Sequence, residues 1–127
     1  MKELKGTRNQ DHLIRLAMES MGVSVTIIDP NGILLYYNTE AAHILDRKPE
    51  YIGKDIHSHH KKADSNRKLE FMLQEFKNGR REPFRYEAKP YGEPIEVTLS
   101  PILENSTFIG CKQSVELKKD IEKAEQP

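Results

Sequence analysis

The stretch IIDPNGILLYYNTEAAHILDRKPEYIGKDI, residues 27–56, decides the fold. It follows a run of β-branched residues in which Val23, Val25 and Ile27 alternate, the pattern of a strand. Asp29-Pro30-Asn31-Gly32 then turns the chain, because proline presets φ and Asn-Gly tolerates positive φ. ILLYYN is a second strand, so residues 22–38 read as a hairpin. Thr39 is positioned to cap a short helix, Pro49 opens a second helical piece and Gly53 ends it.

Working outward, residues 1–8 are polar and expected to be loose. NQDHLIRLAMESM then spaces Leu13, Ile14, Ala17, Met18 and Met21 as one helical stripe, with Asn9 or Asp11 as its cap. Downstream, DSNRKLEFMLQEFKNG is the clearest helix. Asp64 or Ser65 caps it, Leu69, Met72, Leu73 and Phe76 form one face, and Gly79 stops it. The last third alternates in the manner of strands. PFRYEAK sets Phe84, Tyr86 and Ala88 against Arg85, Glu87 and Lys89. PIEVTLSPIL alternates at Ile95, Val97 and Leu99, and TFIGCKQSV is a final strand, so the three form an antiparallel meander. The tail ELKKDIEKAEQ carries Leu117, Ile121 and Ala124 on one stripe of a charged helix. The order predicts an α+β fold: a five-stranded antiparallel sheet with helices on one face, flanked by amphipathic helices at both ends. The expected divisions are an N-terminal segment and helix over 1–21, a domain over 22–117 and a helical tail over 118–127.

The totals narrow the function classes. A chain of 127 residues is one domain that can bury a core without disulfides. Twenty basic and twenty acidic side chains cancel, so no net field draws the protein to nucleic acid or an anionic membrane. The mean hydropathy of −0.73 describes a very polar surface. One cysteine, Cys111, excludes an internal disulfide framework and fits a reducing compartment. No apolar run reaches the roughly 20 residues of a membrane span, and MKELKGTRNQ lacks the apolar stretch of a signal peptide. These features lead to the expectation of a soluble cytoplasmic protein, or a soluble domain of a larger one.

Residues 27–56 resemble the opening of a PAS domain: a strand, a D-x-x-G turn, a strand ending in Asn38, a small-residue helix, and a P-E-x-x-I-G-K turn that includes Gly53. PIEVTLSPIL and TFIGCKQSV resemble the family's last two strands. The resemblance covers residues 22–117. It departs at the end, where the family often has Asp-Ile-Thr and this chain reads SVELKKD. Membership in the family implies a sensory or dimerisation module that holds a small molecule between helices and sheet. It also implies a homodimer formed through the terminal helices and an output domain or protein that receives the signal. The ligand does not follow from the family.

YIGKDIHSHHKKADSNRKLEFML, residues 51–73, gathers His57, His59 and His60. No cysteine or second ligand pair accompanies them, so no metal site is assigned. Some PAS domains hold haem through a histidine near the long helix, which makes haem the leading cofactor candidate. His57, His59, His60 and His43 are its possible imidazole ligands and Met72 its possible thioether ligand. The bland role of Met72 is packing beside Leu69, Leu73 and Phe76. Tyr37 and Gln113 complete the cofactor-binding candidates, each from a strand that has one face toward the pocket. Bulky Phe, Met and Tyr side chains turned inward would favour a third reading, an assembly module whose pocket is filled by its own side chains. No nucleophile elbow, phosphate-cradling glycine loop or carboxylate pair marks an enzyme. The local basic bias of HHKK, Arg67-Lys68 and Arg80-Arg81 reads as a solvated face.

Overall fold

The structure is a computed structural model that describes the backbone of residues 2–59, 63–89 and 92–125, and the side chains of residues 9–57, 65–89 and 92–121. Helix α1 (Lys2–Glu19) precedes strands β1 (Ser24–Ile28) and β2 (Leu34–Tyr37). Helix α2 (Thr39–Leu45), two 3-10 turns (Pro49–Tyr51 and Ile56–His59) and helix α3 (Ala63–Lys77) follow. Strands β3 (Phe84–Ala88), β4 (Ile95–Glu104) and β5 (Thr107–Leu117) then lead into helix α4 (Lys118–Glu125). The sheet order is β2-β1-β5-β4-β3 and every pair is antiparallel. The first hairpin and the final meander are therefore separate in sequence and joined in space by β1 against β5. Three stretches differ from expectation: α1 starts at Lys2 rather than near Asn9, Leu117 ends β5 rather than joining the tail helix, and Asn38 instead of Thr39 caps α2.

One row of paired residues crosses the whole inner face: Tyr37, Thr26, Gln113, Leu99 and Phe84. Residues opposite one another in an antiparallel sheet share a face, so β3 and β4 carry Phe84, Tyr86, Ala88, Ile95, Val97 and Leu99 together, as their alternation predicts, and the structure turns that face inward. β1 breaks the expected pattern. Its inner face is Ser24, Thr26 and Ile28, and Val25 lies on the opposite face yet is also buried. A strand covered on both sides has no solvent-driven reason to alternate, so periodicity identifies the strand and not its inner face.

Helix α3 lays Leu69, Met72, Leu73 and Phe76 onto the sheet, all 6% exposed or less. They join Ile28, Leu34, Ile56, Leu99 and Cys111, with Tyr37, Tyr51, Phe84, Tyr86 and Phe108 packed around them. Each large apolar side chain so buried contributes about 2 kcal/mol. A second cluster, Ile95, Val97 and Val115, packs with Ile44, Leu45, Tyr86, Ala88 and Leu117. Gly110 fits between the strands because it has no side chain: a Cβ there would lie 2.8 Å from the Ile28 carbonyl oxygen.

Asn38 ties these parts together. It is fully buried. Its Oδ1 accepts from the Val25 amide at 2.9 Å and the Ala41 amide at 3.1 Å. Its Nδ2 donates to the Met18 carbonyl at 2.8 Å and the Val23 carbonyl at 2.9 Å. A carboxamide offers two donor hydrogens and an oxygen with two lone pairs, and all are used here. One side chain thus links α1, the entry to β1, and α2. Glu19 adds a second anchor for α1: its carboxylate accepts from the Thr39 hydroxyl at 2.5 Å, the Thr39 amide at 2.9 Å and the Tyr36 hydroxyl at 3.1 Å.

Asn38→Asp keeps shape and acceptor but turns a carboxylate oxygen toward the Met18 and Val23 carbonyls. Urea unfolding should register a loss of about 3 kcal/mol, and a midpoint unchanged from wild type would remove Asn38 from this role. Hydrogen bonds to Thr39, chiefly from its hydroxyl, lower the Glu19 pKa below 4.5. The contribution of Glu19 is therefore present above the unfolded value and is lost as pH falls through the folded one. Amide exchange at residues 15–19, followed from pH 6 down to about pH 3, should accelerate relative to the rest of the domain in wild type. In Glu19→Gln that acid-dependent step should be absent.

Candidate functional site

The 3-10 turn after β2 brings His57 over the hairpin turn. The His57 Nδ1 lies 2.6 Å from Asp55 Oδ1, and Nε2 lies 3.2 Å from Glu70 Oε2 on α3. Asp55 Oδ1 also accepts from the His57 amide at 2.9 Å, and Asn66 Nδ2 donates to the His57 carbonyl at 3.3 Å. Gly32, at φ +87°, passes beneath the ring, and a Cβ there would sit 3.2 Å from His57 Cε1. The turn is closed by the Ile56 amide on the Gly32 carbonyl at 2.8 Å. An open cleft of about 470 Å³ is lined by Asn31, Asp55, His57, Asn66, Arg67 and Glu70. The imidazole therefore acts as a bridge between the hairpin, the 3-10 turn and α3.

Among the described side chains of the histidine cluster, this arrangement does not fit haem. Both ring nitrogens of His57 face carboxylates, whereas an axial ligand needs a free nitrogen aimed at iron. The His59 backbone closes the 3-10 turn, and its side chain and all of His60 lie outside the described residues. Met72 is 3% exposed and packs in the apolar core, and His43 is exposed on α2. Among the described residues, no group of three or more His, Cys, Asp and Glu side chains is arranged to hold a metal ion.

A second constellation lies inside, where the two apolar clusters meet. Arg47 follows α2, is 8% exposed, and donates from Nη2 to Gln113 Oε1 at 3.2 Å. The Gln113 amide also hydrogen-bonds Tyr86, whose pKa is raised chiefly by burial. Gln113 pairs across the strands with Thr26, which pairs in turn with Tyr37. The Thr26 and Ser24 hydroxyls are fully buried and have no hydrogen-bond partner among the described residues. Sheet and helix thus enclose a polar seam of donors and acceptors in an otherwise apolar core. It can orient the polar edge of a small molecule, or a water, and a buried hydroxyl left unsatisfied costs about 1–3 kcal/mol.

Of the residues singled out in the sequence, Tyr37 and Gln113 belong to this inner row, while His57 does not. Cys111 is buried and its thiol pKa is pushed up to about 12 by desolvation, so it is a packing residue and not a nucleophile. Arg47, Ser24 and Thr26 were not singled out. Arg47 sits in a charged turn that reads as solvent-facing, and the two hydroxyls lie in the strand phase opposite to the apolar alternation.

The family model for the PAS domain matches residues 14–110. No curated protein matches significantly. Solved structures match at low identity. A C-terminal domain from Streptococcus mutans aligns at 19% identity and TM-score 0.73, covering 88% of this chain and 87% of that one. The PAS domain of an HTR-like protein from Haloarcula marismortui aligns at 13% and TM-score 0.65, over 91% and 98%. The PAS domain of nitrogen regulation protein NR(II) from Vibrio parahaemolyticus aligns at 18% and TM-score 0.57, over 83% and 97%. These likenesses carry the fold and not a ligand. With the strand order and the match over most of its length, this chain belongs to the PAS domain family, whose members are typically modules of sensory signalling.

Proposed function

We propose that the chain is a signal-relay module that works by binding and dimerising, not by turnover, and that α1 carries the contact to a second copy. One observation supports this above the others: α1 leaves an apolar stripe uncovered by its own domain. Leu13, Ile14, Leu16 and Met21 are 67%, 55%, 52% and 58% exposed, while the polar Glu19 faces the helix's own domain. Leu13, Leu16 and Ala17 fall on one arc of the helix, with Ile14 at its edge, and Met21 follows just past its C-terminal end. A lone helix with this arc in water is marginal, and a second copy of the arc would cover it. Asn38 and Glu19 fix the base of α1 against β1, β2 and α2, so a change in the domain alters the angle at which the helix meets its partner.

A second reading, a small molecule held between helices and sheet, is favoured by the polar seam. Gln113, Tyr86, Ser24 and Thr26 supply hydrogen bonds of both senses, and the two flanking apolar clusters supply a body site. Phe76, Met72 and Leu73 turned inward favour the assembly reading by the same measure, and exposed Phe71 does not bear on it. A signalling output domain or protein would receive the helix movement in either case.

Leu13→Glu should weaken self-association in sedimentation equilibrium relative to wild type, with the circular dichroism of the sheet unchanged. A wild-type protein that is monomeric at every concentration would sink the relay through α1. For the seam, native mass spectrometry of the purified protein should record a small molecule whose occupancy falls in Gln113→Leu. A bare chain mass in wild type would leave the pocket to its own side chains.

A further inference from the structure

The two edges of the sheet are finished differently. Along β2, the chain after α2 folds back onto the open side: the Leu34 amide donates to Lys54 and the Gly53 amide donates to Leu34, at 2.9 and 2.7 Å, and Ile33 bridges Asp55. Among the described residues, nothing comparable covers β3. Among the described residues, the backbone of Phe84–Ala88 pairs with β4 and with no other segment. An edge strand of this kind presents a row of unused amides and carbonyls and is a template for another strand.

The sequence of that edge is self-complementary. In Phe84-Arg85-Tyr86-Glu87-Ala88, Tyr86 is the centre. If a second copy of β3 runs antiparallel with the two Tyr86 residues opposite each other, Arg85 meets the partner's Glu87 and Glu87 meets the partner's Arg85. On the inner face, bulky Phe84 meets the partner's Ala88. Both charges are exposed on the outer face, where opposite charges directly across a strand pair attract. The same residues in a parallel or shifted register lose the match. Beside this strand, Phe71 is 59% exposed with its ring 6.1 Å from Phe84, an apolar rim at the end where the small Ala88 of the partner would arrive. The inner aromatics are held in place: Arg80 lies 3.7 Å from the Phe84 ring centre and Lys68 Nζ lies 4.2 Å from that of Tyr86. Glu87 also pairs with Lys118 at the start of α4, and its second oxygen is available to a partner's Arg85.

We propose that β3 is an isologous pairing edge through which two copies of this chain join their sheets into one, about a two-fold axis through Tyr86. The occupant is a second copy of the chain, selected by the alternation of Arg85 and Glu87. This interface is separate from the α1 arc and does not depend on it.

The test uses charge reversal in the Leu13→Glu background, which removes the helix contact. Amide exchange of residues 84–88 should slow as protein concentration rises. Arg85→Glu alone sets Glu against Glu across the axis, and Glu87→Arg alone sets Arg against Arg, so each should weaken association by about tenfold. An equimolar mixture of the two variants restores opposite charges at both positions and should recover the wild-type concentration dependence as a heterodimer in native mass spectrometry. Exchange at β3 that is independent of concentration, or a mixture that associates no better than either variant alone, would overturn the proposal. If the edge pairs but α1 does not, Leu13→Glu will leave wild-type association unaltered, which separates the two interfaces.

Discussion

The buried carboxamide of Asn38 is the constraint on which the rest depends. It meets the first strand, the small helix and the last turn of the N-terminal helix within one side chain's reach, and it meets each through backbone groups that would otherwise be buried without partners. Because both amide hydrogens and both oxygen lone pairs are committed, the three segments share one relative position. The direction of α1 follows. Its C-terminal end is tied through the Met18 carbonyl and the Glu19 carboxylate, and before that tie the described side chains of the helix, polar and apolar alike, are exposed. The apolar arc is thus left uncovered because the domain holds the helix only at its base.

The core shows how one sheet face can serve packing and recognition together. Two apolar clusters meet at Tyr86, and polar groups run beside that junction from Arg47 through Gln113 to Thr26. A wholly apolar face would be more stable, since buried hydroxyls without partners cost free energy. Their presence in the most buried strand is the feature that sets this interior apart from plain packing. The histidine turn has the opposite character. His57 is spent on Asp55 and Glu70, and its work is to brace the hairpin against α3. What reads as three candidate ligands in the sequence is, for the one whose side chain is described, a scaffold contact.

The remaining polar link concerns the end of the domain. SVELKKD lacks the family's usual Asp-Ile-Thr, yet the start of α4 is held by other means. The Lys118 amide donates to the Pro94 carbonyl at 3.0 Å, and the Lys118 ammonium pairs with Glu87 on β3. Lysines at a helix N-terminus oppose the helix dipole, so the pairing with Glu87 offsets a cost that the sequence itself introduces. Exposed pairs of this kind are worth under about 1 kcal/mol.

By itself the sequence determined the order of elements, the hairpin turn at Asp29–Gly32, the apolar stripe of α3 and the residues that share a face on β3 and β4. Those features follow from local rules: turn residues, helical spacing, and alternation on strands with one wet face. It also marked Asn38, Tyr37 and Gln113. The tertiary structure alone decided which face of β1 looks inward, because a strand covered on both sides carries no alternation to read. It decided that Arg47 is buried against Gln113, a contact between residues 66 positions apart that no local pattern encodes. It decided that His57 faces carboxylates from two different segments, that α1 is held at its base and leaves its apolar stripe exposed, and that, among the described residues, β2 is covered while β3 is open. Each of these depends on which distant segment occupies a face or an edge, and that is settled only when the whole chain closes around Asn38.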